Sequence, residues 1–414
     1  MYVSYIIYAI FIILLIWGGK FAGFKDSQMH GDAISFDAMK SLRGFAAIGV
    51  IIHHISQTDT FQYASQYGQQ NQLSFFVNYG FKLVAIFFFC SGYGLVKSYN
   101  SKHNYLQGFI KKRVVKTLII PYFTSILIYG IWHLIRGDHF APIQWVTNIL
   151  GLSMMNEYAW FPIVLAILYL AFYFVFENLE DKKSRYLFIF MIIFFEALFF
   201  CINGHFSWWA AFKNWWLLPS AFDNVTWWMQ QKVWLFSGEW WINSEIAFLI
   251  GIMVAENETE LRDWFSHSYW VKLIGMILVY AIVNLISNII QGRFSYWSEL
   301  SGSGPGIINK LICFLSQLPQ VTCYVIVIYV ILMKYNANNP VSRFFSSLSL
   351  ETYMMNLIFL ESFKFLIWDF KKGIPVYKTG YWNLGLYAAC VFAGTTIAAI
   401  IYRWINRQVN KLVR

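Results

Sequence analysis

The sequence has little charge for its length. Only 13% of its 414 residues are Asp, Glu, Lys or Arg, whereas a soluble globular chain carries about 25%. So few charged side chains cannot cover a water-exposed surface, and 58% of the residues are hydrophobic. The composition therefore excludes an ordinary soluble domain and predicts an integral membrane protein.

Cysteine pairs are also missing. The sequence contains no CxxC pair, and its five cysteines lie in or beside apolar runs, as small buried side chains do. This distribution predicts neither a disulfide framework nor a metal site. The net charge is +10, but the sequence contains no basic soluble module that would bind nucleic acid. We expect the cations to lie in cytoplasmic loops and to contact anionic membrane lipid instead.

Apolar runs of membrane-spanning length recur along nearly the whole chain. A spanning helix needs roughly 17–25 such residues. The candidate spans lie near residues 2–18, 41–57, 78–96, 114–135, 159–177, 186–203, 240–256, 270–290, 311–333, 347–368 and 383–405. The sequence thus predicts an all-α fold, a polytopic integral membrane bundle of about eleven transmembrane helices.

We expect the chain to divide into three parts. We expect residues 1–33 to form an additional N-terminal transmembrane helix and a cytoplasmic linker, because no cleavage site follows the first apolar run. Residues 34–405 form the main membrane domain. Residues 406–414 form a basic tail, which we expect in the cytoplasm.

Lys and Arg indicate how the chain is oriented. They are concentrated after the first, third and fifth spans and in the tail. The positive-inside rule then places the N-terminus outside the cell membrane and the C-terminus in the cytoplasm. The loop at 369–382 contradicts this pattern, because it carries Lys371, Lys372 and Lys378 yet falls outside. Either this loop is an exception or a neighbouring span is miscounted.

Two further segments have unusual compositions. The segment 204–239 is rich in tryptophan. Trp favours the membrane interface, so the segment is either an interfacial or re-entrant segment or a wall on which an extracytoplasmic sugar stacks. The segment 292–306 contains Gly302, Gly304 and Pro305, which predict a loop.

A histidine inside an apolar span is the first candidate for chemistry. Ionisable side chains are costly in a membrane and are therefore often functional. His54 lies eleven residues after Arg43, about 16 Å along a helix. Its imidazole is suited to act as a general base on a hydroxyl group. A structural histidine that bonds a neighbouring helix is the alternative. A metal pair is disfavoured because His53 and His54 point in different directions on a helix.

Several segments resemble the acyltransferase-3 family, in the family's order. Arg43 and His54, with ten residues between them, resemble its arginine-to-histidine signature. Further matching segments are 42–47 (LRGFAA), 87–93 (FFFCSGY), 112–116 followed by Pro121 and Tyr122, Trp160 and Phe161 followed by Tyr169, 248–252 (FLIGI) and 348–356 (LSLETYMMN). The resemblance covers roughly residues 34–405. Lys40 and Asn356 depart from it, because the family often has an aspartate and a histidine there.

The resemblance implies an enzyme that transfers an acyl group, most often acetyl, from acyl-CoA to a hydroxyl of an extracytoplasmic glycan or glycan precursor. His54 would be the catalytic base, with His53 as the fallback. The donor-binding residues implied are Arg43, Lys112, Arg113, Lys116, Tyr122 and Ser91. The acceptor-binding residues implied are Glu157, Trp160, Tyr353 and Asn356. Acetyl-CoA would be a substrate, and we expect no metal and no tightly bound cofactor.

Simpler roles remain open for several of these residues. Arg43 also suits a positive-inside anchor that bonds a helix carbonyl, and the basic cluster suits lipid headgroups. Ser91 with Gly92 is first a helix-packing motif, and Asn356 also suits a hydrogen bond between helices. A transporter or flippase without acyl-transfer chemistry is the alternative function, although no paired discontinuous helices are visible in two halves of the sequence.

Overall fold

The computed structural model describes residues 2–31, 34–138, 140, 142–151, 154–202, 242–294, 307–371, 374–380 and 382–413. The prediction for 204–239 falls outside these residues. So does most of the predicted loop at 292–306, whose first residues belong to a helix that continues to Phe294.

The described residues are almost entirely helical. The helices are α1 (Tyr2–Ile16), α2 (Phe36–Tyr67), α3 (Ser74–Val77), α4 (Gly80–Ser101), a π-helix (Ile110–Ile119) continuing into α5 (Ile120–Arg136), α6 (Pro142–Ile149), α7 (Trp160–Asn178), α8 (Lys182–Ile202), α9 (Ile246–Glu256), α10 (Glu258–Ser266), α11 (Tyr269–Phe294), α12 (Ile307–Lys334), α13 (Pro340–Ser347), α14 (Ser349–Ser362), a 3₁₀ turn (Lys364–Leu366) and α15 (Asn383–Leu412). Four short strands, β1 (Gly19–Phe21), β2 (Tyr335–Ala337), β3 (Trp368–Lys371) and β4 (Ile374–Tyr377), form two antiparallel pairs, β1 with β2 and β3 with β4.

A helix occupies each of the predicted spans, but their lengths differ. Among the described residues, six helices are long and apolar enough to cross a membrane: Gly80–Ser101, Ile110–Arg136, Trp160–Asn178, Tyr269–Phe294, Ile307–Lys334 and Asn383–Leu412. The all-α membrane fold is therefore confirmed, whereas the count of about eleven spans is not. The predicted tenth span, 347–368, shows one reason, because α14 stops at Ser362 and a 3₁₀ turn and β3 follow.

The chain divides into two compact units. The first comprises Met1–Cys90, Asn257–Met276 and Tyr324–Gln408, and the second comprises Ser91–Glu256, Ile277–Cys323 and Val409–Arg414.

The central helix of the first unit is α2, which has 32 residues. Ser35 begins it, since its hydroxyl accepts a hydrogen bond from the Ala38 N–H at 3.2 Å, and Gly68 ends it in a left-handed conformation. Its middle, Ala46–Ile52, is buried on all sides. A helix that is apolar all round belongs in an interior, so the local sequence and the packing agree.

Two strand pairs lie at opposite ends of α2. Tyr335 and Ala337 of β2 share an apolar groove with Ser41 and Leu42 near the start of the helix. At the other end, the Tyr377 N–H of β4 donates to the Gln66 side chain, and the Tyr377 hydroxyl donates to the Asp59 carboxylate. The β3–β4 hairpin belongs to the loop 369–382. This loop therefore lies at the end of α2 opposite Arg43.

Two contacts between helices of the second unit are a close approach at a glycine and an ion pair. A side chain on Gly92 of α4 would overlap the carbonyl oxygen of Phe248 in α9, so only glycine permits this approach. At the other end of α9, Arg185 of α8 pairs with Glu256 at 2.9 Å. Of the Ser91 and Gly92 pair, Gly92 thus lies at a close helix–helix approach, as expected of a helix-packing motif.

Candidate functional site

His54 is held in the interior of the first unit. It lies on α2 and is only 5% exposed. The Nδ2 atom of Asn356, on α14, lies 3.0 Å from its Nδ1 atom. The ring of Tyr353, also on α14, lies 6.1 Å from the His54 ring between centroids. The structure thus brings together one predicted catalytic residue and two predicted acceptor-binding residues.

His53 has a different environment. Its Nδ1 atom lies 2.7 Å from the backbone carbonyl oxygen of Phe76, which can only accept, so this nitrogen carries the proton. Its ring also packs against Gly80 of α4, where any side chain would overlap it. Through these contacts His53 links α2 to α3 and α4.

Arg43 bonds the end of a neighbouring helix. Its Nη2 atom donates to the carbonyl oxygen of Ser346, in the last turn of α13, at 3.4 Å. A cation is favourable there because the carbonyl groups at a helix C-terminus carry partial negative charge. Of the two partners that the sequence suggested for Arg43, a phosphate or a helix carbonyl, the structure contains the carbonyl.

The remaining predicted site residues belong to the second unit. Lys112, Arg113 and Lys116 lie on the π-helix, and the Arg113 guanidinium lies 5.9 Å from the centre of the Tyr105 ring. A π-helix pairs residues five apart and is frequent at functional sites. The Tyr122 hydroxyl donates to the Asn148 carbonyl oxygen, so this donor is already used.

The second unit also contains the other three predicted site residues, in or next to helices. Ser91 is half-buried on α4, Glu157 is half-buried just before α7, and Trp160 is the buried first residue of α7. The structure does not test their roles.

Three glutamates lie in or beside the predicted spans, and each has an acidic or basic neighbour in the structure. In the first unit, Glu351 lies 3.9 Å from Arg403 of α15. In the second unit, Glu196 of α8 and Glu245, just before α9, face each other, and their four buried oxygens have no other hydrogen-bond partner among the described residues. Sequence separation hid both pairs, because the members lie on helices that meet only in the folded chain.

A polar cluster at the far end of α2 was also missed. Asp59 is completely buried and accepts hydrogen bonds from the Tyr377 hydroxyl and the Asn71 side-chain amide. The only signal in the sequence is a carboxylate two residues beyond a predicted span, and such a position alone does not indicate burial.

An open apolar groove lies at the Arg43 end of α2. It is lined by Leu14, Leu42, Phe45, Ile331 and Tyr335, among others. His54 is not among its lining residues. No group of three or more His, Cys, Asp or Glu side chains suited to a metal ion occurs in the described ranges.

The comparison with known families identifies the chain. The sequence model of the family described as "Acyltransferase domain" matches residues 36–404. The chain belongs to the acyltransferase-3 family. This match confirms the resemblance carried by Arg43, His54 and the segments that follow them. It begins at the start of α2, so α1 lies outside it. No curated protein and no solved structure shows significant similarity to the chain.

Family membership supports a membrane acyltransferase in general terms. The Arg43 and His54 signature lies on one buried helix, and Asn356, at the position where the family often has a histidine, lies against His54.

Proposed function

We propose that this acyltransferase transfers an acyl group, most simply acetyl, from acyl-CoA to a hydroxyl of an extracytoplasmic glycan or glycan precursor, with His54 as the general base. The observation that carries the proposal is a buried imidazole, held by a polar partner on another helix, in a chain of this family. A buried polar side chain that is oriented by a second residue is typical of acid–base sites.

The reaction balances with His54 alone as the proton carrier. The acceptor hydroxyl oxygen attacks the thioester carbonyl carbon while the imidazole takes the hydroxyl proton. The carbon–sulfur bond then breaks, and the imidazolium gives its proton to the leaving thiolate. The products are the O-acyl ester and free CoA, and His54 returns to its neutral form.

The two substrates approach from opposite sides in this proposal. The donor comes from the cytoplasm, at the Arg43 end of α2, and the acceptor comes from the Asp59 end. Both require access to a ring that is 5% exposed, so movement of the surrounding helices accompanies binding. Lys112, Arg113 and Lys116 supply charge-assisted donors for the CoA phosphates. Glu157, Trp160 and Tyr353 serve the acceptor.

Replacing His54 tests the assignment. In proteoliposomes supplied with acetyl-CoA and envelope glycan, H54A is expected to lower the rate of free CoA formation by roughly 10²–10⁴-fold, the usual contribution of acid–base catalysis. H267A is the matched control, because His267 is exposed and follows α10. Thermal unfolding checks that both variants fold. A folded H54A protein that acetylates at the wild-type rate would remove His54 from the mechanism.

The same assay separates this proposal from the alternative. A transporter or flippase would form no free CoA and would leave the acetyl content of the glycan unchanged. Acceptor-dependent CoA release by the wild-type protein therefore supports an enzyme, and its complete absence with every acceptor tested supports the alternative.

The basic residues of the π-helix make a separate prediction about the donor. Replacing Lys112, Arg113 and Lys116 by glutamine should raise the KM for acyl-CoA about tenfold or more, while kcat changes little, because phosphate contacts contribute uniform binding. The matched control replaces Lys182 and Lys183 by glutamine at the start of α8. An equal effect in both variants would indicate a general loss of surface charge instead.

A further inference from the structure

The contact between His54 and Asn356 raises a question about tautomers. Asn356 is completely buried, and its Nδ2 atom lies 3.0 Å from Nδ1 of His54. The other end of the same amide, Oδ1, is buried without a hydrogen-bond partner. The amide therefore has one polar end against the imidazole and one end that no donor of the described residues reaches.

The two ends of an asparagine amide are interchangeable in shape but opposite in chemistry. If the NH₂ group faces His54, then Nδ1 must accept, and the proton of the neutral imidazole lies on Nε2. If the carbonyl oxygen faces His54, then Nδ1 donates, and Nε2 keeps its lone pair. Only the second arrangement leaves Nε2 able to take a proton from a hydroxyl.

We infer that Asn356 is the positioning residue of the base: its carbonyl oxygen accepts the Nδ1–H of His54 and so holds the imidazole in the tautomer whose Nε2 is basic. This inference rests on the proposed function of His54. During transfer, the hydroxyl proton goes to Nε2 and then to the leaving thiolate, while the Nδ1 proton stays on Nδ1.

The same arrangement accounts for the unpartnered end of the amide. With the oxygen toward His54, the NH₂ group takes the buried position at which Oδ1 has no hydrogen-bond partner among the described residues. A hydroxyl or carbonyl oxygen of a bound substrate would satisfy it there. This is consistent with the acceptor-binding role that the sequence suggested for Asn356, and it places that role beside the base.

Two replacements of Asn356 test the inference. N356L removes the hydrogen bond but keeps a similar volume, and kcat is expected to fall roughly 10- to 100-fold because the basic tautomer is no longer favoured. N356D supplies a carboxylate that accepts the same Nδ1–H and stabilises the protonated ring. N356D should therefore keep most of the activity, with the acid limb of its pH–rate profile displaced to higher pH.

T352V is the matched control, since Thr352 lies one turn earlier on α14 and bonds only the Ser349 carbonyl oxygen in its own helix. The inference is overturned if N356L has the wild-type kcat and pH profile. It is also overturned if N356D is as inactive as N356L without a displaced pH profile, because Asn356 then matters only to packing. If N356L fails to fold, the pH profile of N356D decides alone.

Failure of the proposed function would give a different result. In that case wild-type and H54A proteins would show the same rate of CoA release, whatever stands at position 356. An active wild type with an inactive H54A and an unaffected N356L would retain the function and remove only the role of Asn356.

Discussion

At the residue scale, two buried carboxyl groups of the second unit depend on each other. Glu196 and Glu245 face each other, and within the described part of the chain no other donor reaches their oxygens. Ionised carboxylates only accept hydrogen bonds, so two of them in contact repel. We expect the pair to share one proton, which would replace this repulsion by a hydrogen bond. Both glutamates stand in or beside apolar runs of the sequence, but no local pattern pairs them.

This pairing predicts how each position tolerates change. E196Q supplies an amide donor to the Glu245 carboxylate, so the free energy of unfolding should stay within about 1 kcal/mol of wild type. E196A leaves Glu245 buried without a donor and should cost roughly 1–3 kcal/mol. Thermal unfolding of the detergent-solubilised variants measures both. Equal stability of the two variants would show that the carboxyl groups do not interact.

His54 illustrates what single residues reveal before folding. An ionisable side chain in an apolar run was visible in the sequence, and so was its spacing from Arg43. Its partner was not, because Asn356 is 302 residues away in the chain and lies on a helix whose facing direction depends on tertiary packing.

At the element scale, the close approach of α2 to α13 explains the glycine in the LRGFAA segment, one of the segments that resemble the family. A side chain on Gly44 would overlap the backbone carbonyl group of Ser342 in α13. Next to it, the hydroxyl groups of Ser41 and Ser342 are hydrogen-bonded at 2.7 Å. Backbone atoms cannot move aside as a flexible side chain can, so only glycine permits the approach that sets Arg43 beside the end of α13.

Alanine at this position should therefore separate α2 from α13. We expect G44A to lower the free energy of unfolding by roughly 1–3 kcal/mol, the usual cost of overpacking, and to lower acyl transfer by moving Arg43. G275A is the matched control, because Gly275 is inside α11 and has no atom within 4 Å of where a side chain would begin. Its replacement should be neutral or slightly stabilising. A G44A protein as stable as G275A would contradict the close packing.

The elements themselves were largely predictable. Apolar runs and flanking turn residues located a helix at every predicted span, because burial in lipid or protein requires the same local composition. Their lengths were less predictable. The stop of α14 at Ser362 and the π-helical winding from Ile110 depend on packing against other elements, which hydropathy does not register.

At the scale of the whole molecule, the structure fixes which segments share an end of α2. The Lys334 ammonium group donates hydrogen bonds to the backbone carbonyl oxygens of Gly23, Lys25 and Gln28. Lys334 ends α12, directly before β2, and β2 lies near the start of α2. Thr379 follows the β3–β4 hairpin at the other end of α2.

The proposed orientation predicts opposite accessibility for these two ends. A cysteine at exposed Thr379 should react with a membrane-impermeant thiol reagent in intact cells, whereas a cysteine at exposed Lys25 should react only after permeabilisation. A background without the native cysteines is needed, because Cys323 and Cys390 are only partly buried. The opposite result would invert the orientation, and labelling of both sites in intact cells would refute the membrane-spanning placement of α2.

The sequence by itself determined that this chain is a helical membrane protein of the acyltransferase-3 family, since hydropathy and a spaced pair such as Arg43 and His54 are properties of local segments. Only the tertiary structure decided which groups meet: Asn356 with His54, Glu196 with Glu245, and the Ser346 backbone carbonyl group with Arg43. The physical reason is that these contacts join helices far apart in the chain. Their facing directions depend on close approaches, as at Gly44, that no local pattern specifies.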